Sequence, residues 1–214
     1  MRTPMTHVVL LGDSVFDNRA YVTPAPDVVH QLRRRLGDSG EATLLAVDGN
    51  ITRDVAARQL QRLPGDATHL IVSVGGNDAL GHAGLLNAPA GSIGEALERL
   101  AEAQAVFANM YRVMLDAVAA RRLPTAVCTI YDTHYPEPQG RRVNAALALF
   151  NDAITRLAFA RGFGLIDLRL VCTEPADFAN PIEPSEQGGD KITAAIASFV
   201  AGGPEERGRS TVWI

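Results

Sequence analysis

Three short blocks of the sequence hold residue types suited to acyl chemistry, and each follows an apolar run. Gly12-Asp13-Ser14-Val15-Phe16-Asp17-Asn18 comes after His7 to Leu11, Asp48-Gly49-Asn50 after Ala42 to Val47, and Gly75-Gly76-Asn77-Asp78 after Thr68 to Val74. Ser14 offers a hydroxyl nucleophile on a Gly-Asp turn, and attack on a carbonyl would create an oxyanion that needs donors aimed at it. The Ser14 N–H, the Gly49 N–H and the Asn77 amide supply three. Gly49 suits that task because no side chain obstructs its backbone. Asp13 is expected to accept backbone N–H bonds and fix the turn carrying Ser14. Asp13, Asp78 and Tyr131 are expected to border the substrate. Taken singly, each block has a plainer reading: Ser14 caps a helix, Gly49 makes a turn, and Asn77-Asp78 forms an Asx motif. Their common position, each after its own strand, points to one shared site.

The elements that carry these blocks alternate along the chain. Short apolar runs at His7 to Leu11, Ala42 to Val47, Thr68 to Val74, Thr125 to Ile130 and Leu165 to Leu168 read as buried strands. Between and after them, helical spacing of apolar residues predicts helices over Pro26 to Leu36, Ile51 to Leu63, Ser92 to Arg122 and Val143 to Arg161. A loop from Val171 to Gln187 leads to a last helix with Ile192, Ile196, Phe199 and Val200 inward. Continuous apolar strands separated by helices call for a parallel sheet covered on both faces. The expected architecture is a three-layer α/β/α domain with five parallel strands in the flavodoxin-like order 2-1-3-4-5. In such a sheet the ligand site lies beyond the carboxyl ends of the strands, where the three blocks sit. The loop from Asp78 to Gly91 and the segment Tyr131 to Pro138 should shape the pocket, with Phe16 and Tyr21 beside it.

Bulk properties narrow the function classes. A chain of 214 residues with 47% hydrophobic and 21% charged residues suits one globular domain, here read as residues 1–202 with a polar tail over 203–214. Net charge is −4, and Arg33-Arg34-Arg35 lies in a helical pattern as a solvated face, so nucleic acid is not an expected partner. Cys128 and Cys172 make no disulfide framework, and Cys128 reads as a small core residue. Met1 to Thr6 lacks the apolar segment of a signal peptide, and no run is long and apolar enough to cross a bilayer, so a cytoplasmic protein is expected. No oligomer interface is legible.

The three blocks resemble those of the SGNH (GDSL) hydrolases: Gly12-Asp13-Ser14, Gly49 and Gly75-Gly76-Asn77-Asp78, within a matching order of strands and helices over most of the chain. The resemblance implies Ser14 as nucleophile, Ser14, Gly49 and Asn77 as oxyanion hole, a small-molecule acyl ester as substrate, and no cofactor or metal. The family's fourth block, Asp-x-x-His before a Pro and a small polar residue, is altered here. Aligning Pro184-Ser185 places Glu183 at the histidine position and Asn180 at the position of its aspartate partner.

Three explanations follow. Glu183, oriented by the Asn180 amide, acts as general base, its pKa raised in a half-closed apolar pocket. Alternatively His134, after the fourth strand and near Asp132, supplies an imidazole. In the third explanation the site binds ligand without hydrolysing it. A rival of another class is a metal-dependent phosphoesterase, in which Asp13, Asp17, Asp48 and Asp78 hold a divalent cation.

Overall fold

The computed structural model describes residues 5–202, so the tail read over 203–214 lies outside the described residues. In chain order the elements are β1 (Thr6–Gly12), α1 (Arg19–Val22), α2 (Val28–Leu36), β2 (Gly40–Leu44), α3 (Thr52–Asp54), β3 (His69–Ser73), α4 (Gly76–Leu80), α5 (Ile93–Ala119), β4 (Thr125–Cys128), α6 (Gln139–Phe159), β5 (Gly164–Ile166), α7 (Leu168–Val171), β6 (Phe178–Asn180), β7 (Glu183–Pro184) and α8 (Glu186–Val200). Five strands form one parallel sheet in the order β2-β1-β3-β4-β5, and β6 and β7 pair as a separate antiparallel hairpin. The expected order holds.

Alternation along the strands divides the core between two faces. Val9, Leu11, Leu70, Val72 and Val127 pack with Phe107, Tyr111 and Leu115 of α5 and Phe150 and Ile154 of α6. Val8, Leu10, Ile71, Ala126 and Cys128 pack on the other side with Val28 and Leu32 of α2 and Ile192 and Ile196 of α8. Both cysteines are buried and unpaired, and burial pushes the Cys128 thiol well above its ordinary range. The central strands β1, β3 and β4 are thus enclosed between helices, which is why their runs are apolar almost throughout.

Several boundaries differ from the periodicity. The second strand stops at Leu44 because the N–H groups of Leu45 and Ala46 both turn onto the Leu10 carbonyl, at 2.9 Å each. The helix expected over Ile51 to Leu63 starts as α3, loosens into a π turn (Val55–Gln59) and tightens into a 3-10 turn (Leu60–Arg62). The fourth strand ends at Cys128, and α6 begins four residues before Val143. Its first turn is polar and makes no apolar stripe. The loop expected over Val171 to Gln187 contains the β6–β7 hairpin, too short for strand periodicity to register.

Candidate active site

The turn after β1 is built around Gly12. Its φ is +134°, and a side chain there would overlap the Ser73 carbonyl of the neighbouring strand. That close approach lets the Asp13 N–H donate to the Ser73 oxygen at 3.1 Å. The Asp13 carbonyl then accepts from the N–H groups of Phe16 and Asp17, and its Oδ1 accepts from the Val15 N–H at 3.2 Å. Ser14 sits at the corner of this turn, buried but lining a cavity. Among the described residues its N–H has no hydrogen-bond partner.

Buried polar side chains lace the three strand ends together. Gln59, on the π turn, donates from Nε2 to the Gly12 carbonyl at 2.7 Å and to Asn50 Oδ1 at 2.9 Å. Its Oε1 accepts from the Gly12 N–H at 2.8 Å. Asp17 Oδ2 accepts the Asp48 N–H, and Asn77 Nδ2 donates to the Asn50 carbonyl at 2.9 Å. Asp78 Oδ2 accepts both the N–H and the hydroxyl of Thr52, each at 2.9 Å. These bonds bring the Ser14, Gly49 and Asn77 blocks to one edge. Gly49 is exposed with φ +79°, a backbone conformation that favours glycine. No hydrogen bond occupies its N–H among the described residues. Asn77 lines the cavity, while Gly49 lies outside its wall.

Glu183 enters from the opposite side, on β7. The Ser14 hydroxyl donates to Glu183 Oε1 at 3.0 Å. The glutamate is 6% exposed, and its Oε2 has no hydrogen-bond partner among the described residues. Its backbone is held on both sides: the Tyr131 hydroxyl donates to the Ile182 carbonyl at 2.6 Å, and Asn18 Nδ2 donates to the Pro184 carbonyl at 3.3 Å. Burial pushes the Glu183 carboxyl up to about 7, with the negative charge of Asp48 adding to the rise and the Ser14 hydroxyl opposing it. Burial likewise raises the Asp13 carboxyl to about 8, against the pull of the Val15 N–H.

Asn180 does not reach the Glu183 carboxylate. It is exposed, and its Oδ1 accepts the Ile182 N–H at 3.0 Å, bracing the hairpin turn that presents Glu183. His134 is also elsewhere. In the extended segment after β4, Thr133 and Tyr135 face the cavity, so the residue between them faces away. The His134 ring packs on Phe178, with centroids 4.2 Å apart, and the His134 backbone N–H donates to the Pro181 carbonyl. Tyr131 and Asp13 line the cavity as expected, whereas Asp78 is turned onto Thr52 and does not. Phe16 is fully buried in the core, and the Tyr21 hydroxyl donates to Asp48.

Gln59 escaped the sequence reading, though its place between Val55 and Leu60 marks a buried polar residue, and Asn18 entered it only as the last residue of the first block, without a role.

The cavity beside Ser14 has a volume of about 340 Å³. Its lining includes Val74, Leu80, Leu86, Leu100, Val143, Leu147 and Phe150, with Ser14, Asn77 and Glu183 and further polar residues such as Thr129, Thr133 and Arg142. Hydroxyl, carboxylate and amide thus share one pocket. The family model of GDSL-like lipases and acylhydrolases matches residues 10–190. The chain belongs to that family. At the family level its activity is ester hydrolysis, and every convergent residue falls within the matched span.

Solved structures with the same fold include the extracellular lipase of Streptomyces rimosus, 20% identical, with a TM-score of 0.65 over 91% of this chain and 99% of that one. Phospholipase A1 of Streptomyces albidoflavus is 18% identical, with a TM-score of 0.66 over 91% and 99%. The esterase EstA of Pseudoalteromonas is 14% identical, with a TM-score of 0.59 over 92% and 97%. No curated protein matches the sequence.

The four aspartates considered as metal ligands in this lipase/acylhydrolase chain have separate tasks. Asp13 binds the Val15 N–H, Asp17 the Asp48 N–H, Asp48 the Tyr21 hydroxyl and Asp78 Thr52. Among the described residues, donor atoms close enough to share an ion occur at His7, Glu41 and Asp66, towards the other end of β1. There the His7 ring is already hydrogen-bonded to Asp66 and Thr43. No helix among the described residues is long and apolar enough to cross a membrane.

Proposed function

We propose that the protein is a carboxylic ester hydrolase in which Ser14 is the nucleophile and Glu183 its general base. The 3.0 Å hydrogen bond from Ser14 Oγ to Glu183 Oε1 carries this reading. As Oγ attacks the acyl carbonyl, its proton passes to Glu183 Oε1. The Ser14 N–H, the Gly49 N–H and the second hydrogen of Asn77 Nδ2 stabilise the oxyanion. Collapse breaks the ester bond, and Glu183 returns the proton to the departing alkoxide, leaving an acyl-serine. Water then attacks this ester with Glu183 again taking the proton, and release of the acid restores Ser14.

A carboxylate is ordinarily a weaker base than imidazole. Burial that lifts Glu183 to about 7 supports the role, because a base poised near the working pH combines availability with proton affinity. A carboxylate needs no relay partner to choose its tautomer, and the position of Asn180 away from Glu183 is compatible with that economy.

The test is hydrolysis of p-nitrophenyl acetate and butyrate by wild type and Ser14→Ala. Wild type should turn over, and the variant should fall to background, a loss of at least about 10³-fold. Equal rates would instead favour a ligand-binding protein on the same fold.

A further inference from the structure

We propose that His7, Glu41 and Asp66 form a structural zinc site at the end of the sheet opposite Ser14, where the ion ties β1, β2 and the turn before β3 together. The site shares no residue with the candidate active site, and its test needs no enzymatic activity.

Parallel pairing sets His7 of β1 directly beside Glu41 of β2, and Thr43, two residues along, faces the same way. Asp66 comes from the turn that the Ala67 N–H closes on the Pro64 carbonyl. Three separate elements thus deliver an imidazole and two carboxylates to one point, with donor atoms all within 4.8 Å of one another. Zinc binds nitrogen and carboxylate oxygen at about 2.0–2.2 Å, so tetrahedral ligand atoms lie roughly 3.4 Å apart. His7 Nδ1 and Asp66 Oδ1, at 3.0 Å, already stand near that spacing. Glu41 is exposed, and rotation of its side chain closes the remaining gap.

Two features separate this group from a patch of surface acids. The first is the held ring. His7 is 4% exposed, and its Nε2 lies 2.8 Å from Thr43 Oγ1. A hydroxyl both donates and accepts. When Thr43 accepts the Nε2 hydrogen, the Nδ1 lone pair faces the carboxylates, which is the tautomer a metal needs. The ion then replaces the hydrogen between Nδ1 and Asp66, and the Thr43 contact is kept.

The second feature is charge. Among the described residues no lysine or arginine pairs with Glu41 or Asp66, and the only polar partner of Asp66 is His7. Neighbouring carboxylates repel, and a divalent cation between them removes that repulsion. The imidazole favours zinc over magnesium, which prefers oxygen ligands in octahedral array.

The experiment strips the full-length protein with EDTA, exchanges it into chelator-free buffer and titrates it calorimetrically with zinc chloride and, separately, magnesium chloride. One zinc ion should bind per chain, and magnesium should not bind at the same concentrations. Zinc at about 100 times its dissociation constant should raise the melting midpoint by roughly 5–10 °C, because it binds the folded chain. Asp66→Asn and Glu41→Gln, both at exposed positions, should each weaken zinc binding by at least about tenfold. Thr43→Val keeps the shape but cannot accept the Nε2 hydrogen, and should weaken it by about 10–100-fold.

No zinc binding, binding unchanged in both carboxylate variants, or magnesium binding as tightly as zinc overturns the site. The first of these leaves His7 and Asp66 as a hydrogen-bonded pair only. Affinity unchanged in Thr43→Val overturns Nδ1 as the ligand.

Discussion

The two sides of the candidate site are built in opposite ways. The Ser14 side grows from the carboxyl ends of three sheet strands, and nearly every polar group there has a partner. Gln59 alone makes three hydrogen bonds across it. The Glu183 side is a two-stranded hairpin outside the main sheet, held through the carbonyls of Ile182 and Pro184. Its carboxylate has one hydrogen bond, to Ser14, and one buried oxygen without a partner. In the proposed mechanism the first side serves position and the second proton affinity. A fully hydrogen-bonded glutamate would be a poorer base, since each donor stabilises the charged form.

Removing the carboxylate should break this contrast most severely. Glu183→Gln keeps the shape and is expected to lower kcat by about 10²–10⁴-fold, the usual span for a general base. The same variant should be more stable than wild type in alkali. Glu183 holds its proton more tightly folded, at about 7, than at its ordinary 4.5. Its stabilising contribution is therefore full below that ordinary value and lost as pH rises through about 7. Thermal melts at pH 8 should show a higher midpoint for Glu183→Gln, with the gap closing towards pH 5. A lower midpoint at pH 8 would mean that the charged carboxylate stabilises the fold.

On the nucleophile side, Asn77→Ala should reduce kcat by about 10²–10³-fold with KM little changed, as expected when an oxyanion donor is lost. Kinetics on a short ester read this directly, and a rise in KM alone would assign Asn77 to substrate binding. Gln59→Ala touches no substrate yet leaves the buried Gly12 N–H unpaired, at about 1–3 kcal/mol, while the Gly12 carbonyl keeps the Val47 N–H. Its melting midpoint should fall by roughly 2–12 °C. An unchanged midpoint would show that the strand ends hold together without the glutamine.

The mildest change sharpens the comparison on the base side. The kcat/KM of wild type should rise with pH and level off above an inflection near 7, because Glu183 must be ionised to accept the proton. Asp48→Asn removes a negative charge that raises Glu183, so the inflection should move down. An unmoved inflection would assign the titration to another group.

Much of the nucleophile side was legible in the sequence. Its strands are continuous apolar runs, and the residues after them must gather at one edge once the sheet is parallel. Ser14, Gly49 and Asn77 could be chosen together for that reason. The base side was legible only by alignment of Pro184-Ser185. That alignment singled out Glu183, whose Oε1 lies 3.0 Å from Ser14 Oγ, and Asn180, whose side chain turns to the hairpin backbone. His134 was the lesser alternative by position. Alternation in an extended segment turns it onto Phe178, and the phase of that alternation is set by packing rather than by spacing.

The sequence by itself determined the fold class and the edge on which chemistry must lie, because these follow from apolar strands alternating with helices. Only the tertiary structure decided which acceptor meets the Ser14 hydroxyl, which polar residues lace the strand ends, and how large a cavity opens beside them. Those features depend on side-chain directions across segments more than 160 positions apart, such as Ser14 and Glu183. No local pattern encodes such a direction, since it is fixed by the packing of each element against the others.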